Sequence, residues 1–305
     1  MRKGGWLAGV MAVVLVGAGC SAGRVQVAGA ADGRLSVVAA ESFWGSVAAQ
    51  LGGERVHVTS IVHSSGADPH DFEATPRDAR RMAAAQYVIV NGAGYDPWAG
   101  DVLSANPADG RVVLDVGALL GVRDGENPHR WYFPADVERV IEQIVTDYER
   151  LDPGHRDYFE AQRAHFESDA LARYRGLLDQ IKTEFSGAPV GASETFFDGV
   201  ALATALDVRT PRGFREAISE GTEPSAGDRA TVEHQLRDRQ VRVFAYNEQN
   251  ATPDVASLVD EATRAGIPVV AFTETPPDNV SFQDWQTRQL EALLDALTRA
   301  TGGAR

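Results

Sequence analysis

The sequence predicts an α/β fold of two βα lobes with parallel-type sheets, joined by one long rigid helix. Two observations carry that expectation. From Leu35 onward, short β-rich runs alternate with helix-like segments, the pattern of βαβ units in a mostly parallel sheet. Between two such stretches, Asp152 to Phe185 keeps an apolar spacing near 3.6 for about thirty residues, unusual for an ordinary globular helix. A length of 305 residues, 44% of them apolar, with five Trp and twelve Phe, supplies two cores and argues against a disordered chain.

The elements follow in order. Residues 1–20 run from Arg2 and Lys3 through an apolar stretch, Trp6 to Val16, into Gly17, Ala18, Gly19 and Cys20. That is the layout of an export signal, too short and wrongly flanked for a stable transmembrane helix. Cys20 is the only cysteine, so it can form no intramolecular disulfide and no cysteine-based metal cluster. Val16 to Cys20 resembles a bacterial lipobox, with Gly17 departing from the usual aliphatic residue. On that resemblance Cys20 is the lipidated first residue of the mature protein, and two or more acyl chains, at about 0.8 kcal/mol per buried methylene, hold it at the membrane. Residues 21–33 are small and weakly hydrophobic and read as a flexible tether.

Residues 34–150 form the N-terminal lobe, with strands expected at Leu35 to Val38, Val56 to Val62, Tyr87 to Val90 and Val112 to Val116, and helices near Trp44 to Leu51 and Pro76 to Ala85. Thr75-Pro76-Arg77-Asp78 marks a helix start, because Thr75 can cap free amides, Pro76 suits the first helical position and Asp78 meets the positive helix end. Residues 151–186 are the linking helix. In the C-terminal lobe, 187–305, strands are expected at Pro189 to Ala192, Val241 to Tyr246 and Pro268 to Phe272, and helices at Phe197 to Leu206, Asp228 to Leu236, Asp254 to Ala265 and Phe282 to Ala300. The formal net charge of −14 makes nucleic acid and anionic headgroups poor partners.

Three residues of metal-ligand type lie just beyond strand ends: His70 in Asp-Pro-His-Asp, Glu194 in Ser-Glu-Thr-Phe-Phe, and Glu274 in Thr-Glu-Thr. Open α/β sheets bind ligands outside the carboxyl ends of their strands. A fourth, His129 in Asn-Pro-His, opens a helix that starts near Pro134. Imidazole and carboxylate are ordinary ligands for first-row divalent metals, and all four could converge between the lobes. Spacing alone is weak support, since 59 to 80 residues separate successive candidates. His57, His155, His165 and His234 fall on strands or helices and read as bland, His63 as a partner of a ligand or a weak extra one, and Glu248 as a cap or solvent-facing residue.

The motifs add weight. Gly-Ala-Asp-Pro-His-Asp-Phe-Glu-Ala-Thr-Pro-Arg-Asp at 66–78 resembles the first-ligand motif of the metal-specific substrate-binding lipoproteins of zinc- and manganese-type ABC importers, a family also called metal-binding adhesins. Asn-Pro-His with Trp-Tyr-Phe-Pro at 127–134 is similar to its second-ligand loop, and Asn91-Gly92 with Tyr95-Asp96-Pro97-Trp98 to the stretch between. The resemblance implies a fold like that of class III periplasmic binding proteins. It also implies His70 and His129 as N-lobe ligands, Glu194 as the third, and Glu274 where the family usually has aspartate, with Asp278 the nearest rival.

Two imidazoles and two carboxylates make an oxygen-rich site, which tilts toward manganese or ferrous iron, although the Irving–Williams order still favours zinc. The resemblance implies one divalent ion (manganese, iron or zinc) captured between the lobes of a monomer on the extracytoplasmic face of the membrane and passed to an ABC importer permease. A metal-dependent hydrolase is the rival reading, but no His-Glu-x-x-His helix or Gly-x-Ser-x-Gly elbow occurs, and four protein ligands leave no open position. No adhesive repeat supports an adhesin. The expectation is a binding protein rather than an enzyme.

Overall fold

The computed structural model describes residues 25–26, 33–63 and 72–302. The export segment, Cys20 and His70 lie outside the described residues. Among those described, no helix is long and apolar enough to cross a membrane.

The N-lobe runs β1 (Val25–Gln26), β2 (Leu35–Glu41), α1 (Ser42–Gly52), β3 (Val56–Val62), α2 (Pro76–Ala84), β4 (Tyr87–Val90), α3 (Pro97–Ala105), β5 (Ala108–Asp109), β6 (Val112–Asp115) and α4 (Val116–Leu120). Its main sheet has the order β3-β2-β4-β6, all parallel, with Val37 opposite both Val58 and Tyr87. Strands covered on both faces read as continuous apolar runs rather than alternating ones, and β4, Tyr-Val-Ile-Val, is buried at every position. Leu35, Val37 and Ala39 face one core with Phe43, Trp44 and Leu51 of α1, whereas Val38 and Ala40 face another with Met82 and Ala99. α2 begins with a full capping box: Thr75 accepts from the Asp78 amide and Asp78 accepts from the Thr75 amide. Within the expected tether, β1 pairs in parallel with β5, so two of those residues lie along the lobe.

α5 (Pro134–Leu151) leads through a short turn into α6 (Arg156–His165), a π-helical segment at Phe166–Ala170, and α7 (Ala172–Phe185). The expected long helix is thus one helical path with a π turn inside it, closed by Leu171 N–H donating to the Phe166 carbonyl at 3.0 Å. Residues five apart diverge around an ordinary helix. The wider turn brings Phe166 and Leu171 onto the same buried side, which a regular helix would not.

The C-lobe runs β7 (Pro189–Ala192), α8 (Phe197–Thr204), β8 (Asp207–Val208), α9 (Arg212–Ser219), α10 (Ala226–Arg237), β9 (Phe244–Asn247), α11 (Pro253–Arg264), β10 (Val269–Phe272) and α12 (Phe282–Gly302). Its parallel sheet has the order β10-β9-β7-β8. Helices α9 to α11 cover its outer core, while the inner core is continuous with that of the N-lobe through Trp131, Tyr132, Phe196 and Phe272.

Candidate metal centre

The two sheets turn the carboxyl ends of their strands toward one another. β7 stops at Ala192 and delivers Glu194; β10 stops at Phe272 and delivers Glu274; His129 caps a 3-10 turn, Arg130–Tyr132, ahead of α5. His129 and Glu194 are 0% exposed and Glu274 2%, and the three offer ligand-type atoms that all lie within 4.8 Å of one another. Three of the four residues singled out in the sequence are therefore together, and the fourth, His70, lies outside the described residues. Asp278 is elsewhere, its side chain 73% exposed and 3.9 Å from a similarly open His63. His155, His165 and His234 sit beside the carboxylates of Asp152, Asp169 and Asp238 at 2.8, 2.7 and 3.1 Å, and His57 and Glu248 are exposed.

Each member of the cluster is aimed by its neighbours. Asn127 donates to the Thr195 carbonyl across the cleft at 2.7 Å, which leaves its Oδ1 to accept from His129 Nδ1 at 2.9 Å. An imidazole that donates from Nδ1 keeps its Nε2 lone pair for a metal. Nε2 makes no hydrogen bond among the described residues and lies 3.5 Å from Glu274 Oε1. Glu274 accepts from the Tyr95 hydroxyl at 2.9 Å and from the Asn247 amide at 2.6 Å, while its own backbone N–H donates to Gln249 Oε1 at 2.6 Å. The Asn247 amide also reaches Glu194 Oε2 at 3.4 Å. Burial, and next the charge of Glu274, push the Tyr95 phenol well above its ordinary range, so it remains a donor.

Tyr95 lay within a motif visible in the sequence. Asn247 and Gln249 did not, because amides flanking an exposed Glu248 at a strand end carry no pattern of their own.

Two buried carboxylates this close, when both are charged, repel by roughly 3.5–4 kcal/mol at an effective dielectric of 20. Neutral donors such as Asn247 and Tyr95 offset part of that cost, and a divalent cation would remove it. The donor set, one imidazole nitrogen and two carboxylates, suits a first-row divalent metal.

Known proteins share this frame. Over 178 residues the chain is 31% identical to the manganese-binding lipoprotein MntA of Halalkalibacterium halodurans, a match spanning 57% of this chain and 58% of that relative's length. Over 294 residues it is 23% identical to the manganese ABC transporter substrate-binding lipoprotein PsaA of Streptococcus mitis, covering 92% of this chain and 84% of the relative. The structure of a manganese-bound periplasmic metal-binding protein from Candidatus Liberibacter asiaticus has the same fold, with TM-score 0.73 and 16% identity over 87% of this chain and all of the other. Residues 37–296 match the family model for ZnuA, the periplasmic component A of the zinc-uptake complex, and the chain belongs to that family.

Proposed function

We propose that this protein is an extracytoplasmic solute-binding protein that captures one divalent transition metal, manganese, iron or zinc, between its lobes and delivers it to an ABC-type importer. The observation that carries this reading is the buried trio of His129, Glu194 and Glu274 at facing strand ends, in a chain of the ZnuA family. In this reading the metal is cargo. His129 and the two glutamates hold it together with His70, and only metal–ligand bonds are made on capture and broken on release. Cys20 carries the lipid anchor, and the permease in the membrane receives the ion. The relatives' names, MntA and PsaA among them, support manganese as one cargo, and the family's own description supports zinc.

Isothermal titration of the chelator-stripped protein with manganese, ferrous iron and zinc tests this. One tight site per chain is expected, weakened a hundredfold or more by Glu194→Ala, on the order of what losing a buried charged ligand costs. No binding tighter than about micromolar for any of the three metals would sink the proposal.

A further inference from the structure

We propose that Asn91 is a positioning residue for His129: its side-chain amide pins the turn that presents the imidazole to the strand ends of the N-lobe. The inference rests on the functional reading above and names what sets the place of the imidazole within that site.

Asn91 directly follows β4 and is 0% exposed. A buried amide is costly unless its polar atoms are bonded, and here both ends are used. The Trp44 indole N–H donates to Oδ1 at 3.0 Å, and the NH2 group donates to the carbonyls of Pro128 and Gly92 at 3.0 and 3.3 Å. An indole can only donate and a carbonyl can only accept, so chemistry fixes which way this amide points. Its backbone is held as well: the N–H donates to Asp96 at 2.7 Å and the carbonyl accepts from the Gly117 N–H at 2.8 Å. The amide thus reaches out from a fixed base.

At the far end of its bond to Pro128 is a turn centred on His129. That residue has φ −74° and ψ 50°, and the Arg130 N–H donates back to the Pro128 carbonyl at 2.7 Å, which makes an inverse γ-turn. A carbonyl has two lone pairs, and Arg130 takes one and Asn91 the other. The peptide between Pro128 and His129 is planar, so its carbonyl and its N–H, which donates to Asn127 Oδ1 at 3.0 Å, must turn together. Asn127 ties that plane to the C-lobe through the Thr195 carbonyl, and Asn91 ties it to the N-lobe. Among the described residues, no other hydrogen bond joins residues 127–129 to the N-lobe strand ends. A turn without Asn91 keeps its bond to the C-lobe and loses this one, so His129 Nε2 shifts relative to Glu194 and Glu274.

The test compares the wild-type protein with Asn91→Leu, which fills the volume of the amide without a donor, and with Leu258→Ala, which opens a cavity in the outer core of the C-lobe. Zinc and manganese titrations are read beside the nitrogen NMR signals of the His129 ring in metal-free, histidine-labelled protein. Asn91→Leu should weaken both metals by about tenfold or more and shift the ring signals, as loss of a group that orients a ligand does. Leu258→Ala should lose stability with neither change. Unaltered ring signals or unaltered affinities in Asn91→Leu overturn the proposal, because a residue that merely fills the core lowers stability alone. A crystal structure of the zinc-loaded wild-type protein gives a reading that needs no variant: an intact bond from Asn91 to the Pro128 carbonyl supports the inference, and a broken one overturns it. A wild-type protein that binds neither metal overturns the functional reading as well, whereas tight wild-type binding that Asn91→Leu leaves unchanged overturns the role of Asn91 alone.

Discussion

Glu41 ends β2 with its carboxyl buried beside that of Asp96. Burial, then the Asp96 charge, raise the Glu41 pKa well above the ordinary carboxylate range, and burial raises Asp96 less, because that group accepts from the Glu41 carboxyl and then from the Asn91 and Gly92 amides at 2.7 and 2.8 Å. Asp96 therefore keeps the charge and Glu41 the proton, and the turn they pin carries Tyr95 to Glu274. A carboxyl whose pKa is raised on folding stabilises fully below its unfolded pKa, and that contribution is lost as pH rises through the folded value. Stability should accordingly decline above the ordinary carboxylate range, with a slope of up to about 1.4 kcal/mol per pH unit for one proton. Glu41→Gln, neutral throughout, should flatten that decline, and urea midpoints at about pH 5 and about pH 8 measure it. Equal slopes in the two proteins would remove Glu41 as the source. Asp96 lay within the same motif as Tyr95, but nothing in the sequence marked Glu41 or the pairing, which becomes informative only through the neighbour that the fold supplies. Glu194 and Glu274, by contrast, were legible because ligand-type residues directly after apolar strands carry a positional meaning of their own.

At the scale of elements, legibility followed length and punctuation. The apolar runs of β3, β4 and β7 matched their expected bounds, whereas α3 and α9 went unpredicted. α9 has eight residues, too few to establish a period, and its apolar Phe214 and Ile218 lie just four apart. β8 has two residues and takes its identity from pairing with β7 rather than from its own sequence. The π turn was equally invisible, because an inserted residue shifts the phase of an apolar stripe by less than the stripe's own width. Where a boundary did have a chemical cause it was read correctly. Thr75 caps α2 and Asp78 returns the bond at 3.0 Å. Thr75→Ala should lower unfolding stability by about 1 kcal/mol, while Thr75→Ser should cost a few tenths at most. Denaturant titrations of the two variants check this, and an equal loss in both would mean that the hydroxyl is not the stabilising group.

The molecule as a whole is built to resist wide opening. One core passes from the N-lobe sheet to α12, and at its centre Tyr132 packs against Phe196, Phe272 and Trp285 with ring centroids 5.8, 6.0 and 5.8 Å away. Polar bonds cross the same joint: Tyr132 to the Thr273 carbonyl at 2.6 Å, the Phe282 amide to Ser46 at 2.9 Å, and Gln50 with Gln283 in both directions. A large hinge motion would have to expose these rings, so the proposed metal capture is expected to work by small tilts of the lobes. A close approach at the joint is made by Gly199 in α8, where an added Cβ would stand 2.6 Å from the Tyr132 carbonyl carbon and 2.7 Å from the Phe133 ring. Neither neighbour can give way cheaply, since one is backbone and the other is a ring with the Arg130 guanidinium 3.8 Å over its face. α8 begins three residues after Glu194, so displacing it moves that carboxylate away from His129. Gly199→Ala should thus cost about 1–3 kcal/mol of stability through overpacking and also weaken metal binding by tenfold or more. Gly176→Ala provides the contrast: that glycine lies on α7 with nothing within 4 Å of a new Cβ, so the change should leave metal affinity untouched. Thermal melting and metal titration of the two variants decide the matter. If Gly199→Ala melts and binds like the wild type, the joint yields, and the affinity of the site does not depend on lobes held at fixed separation.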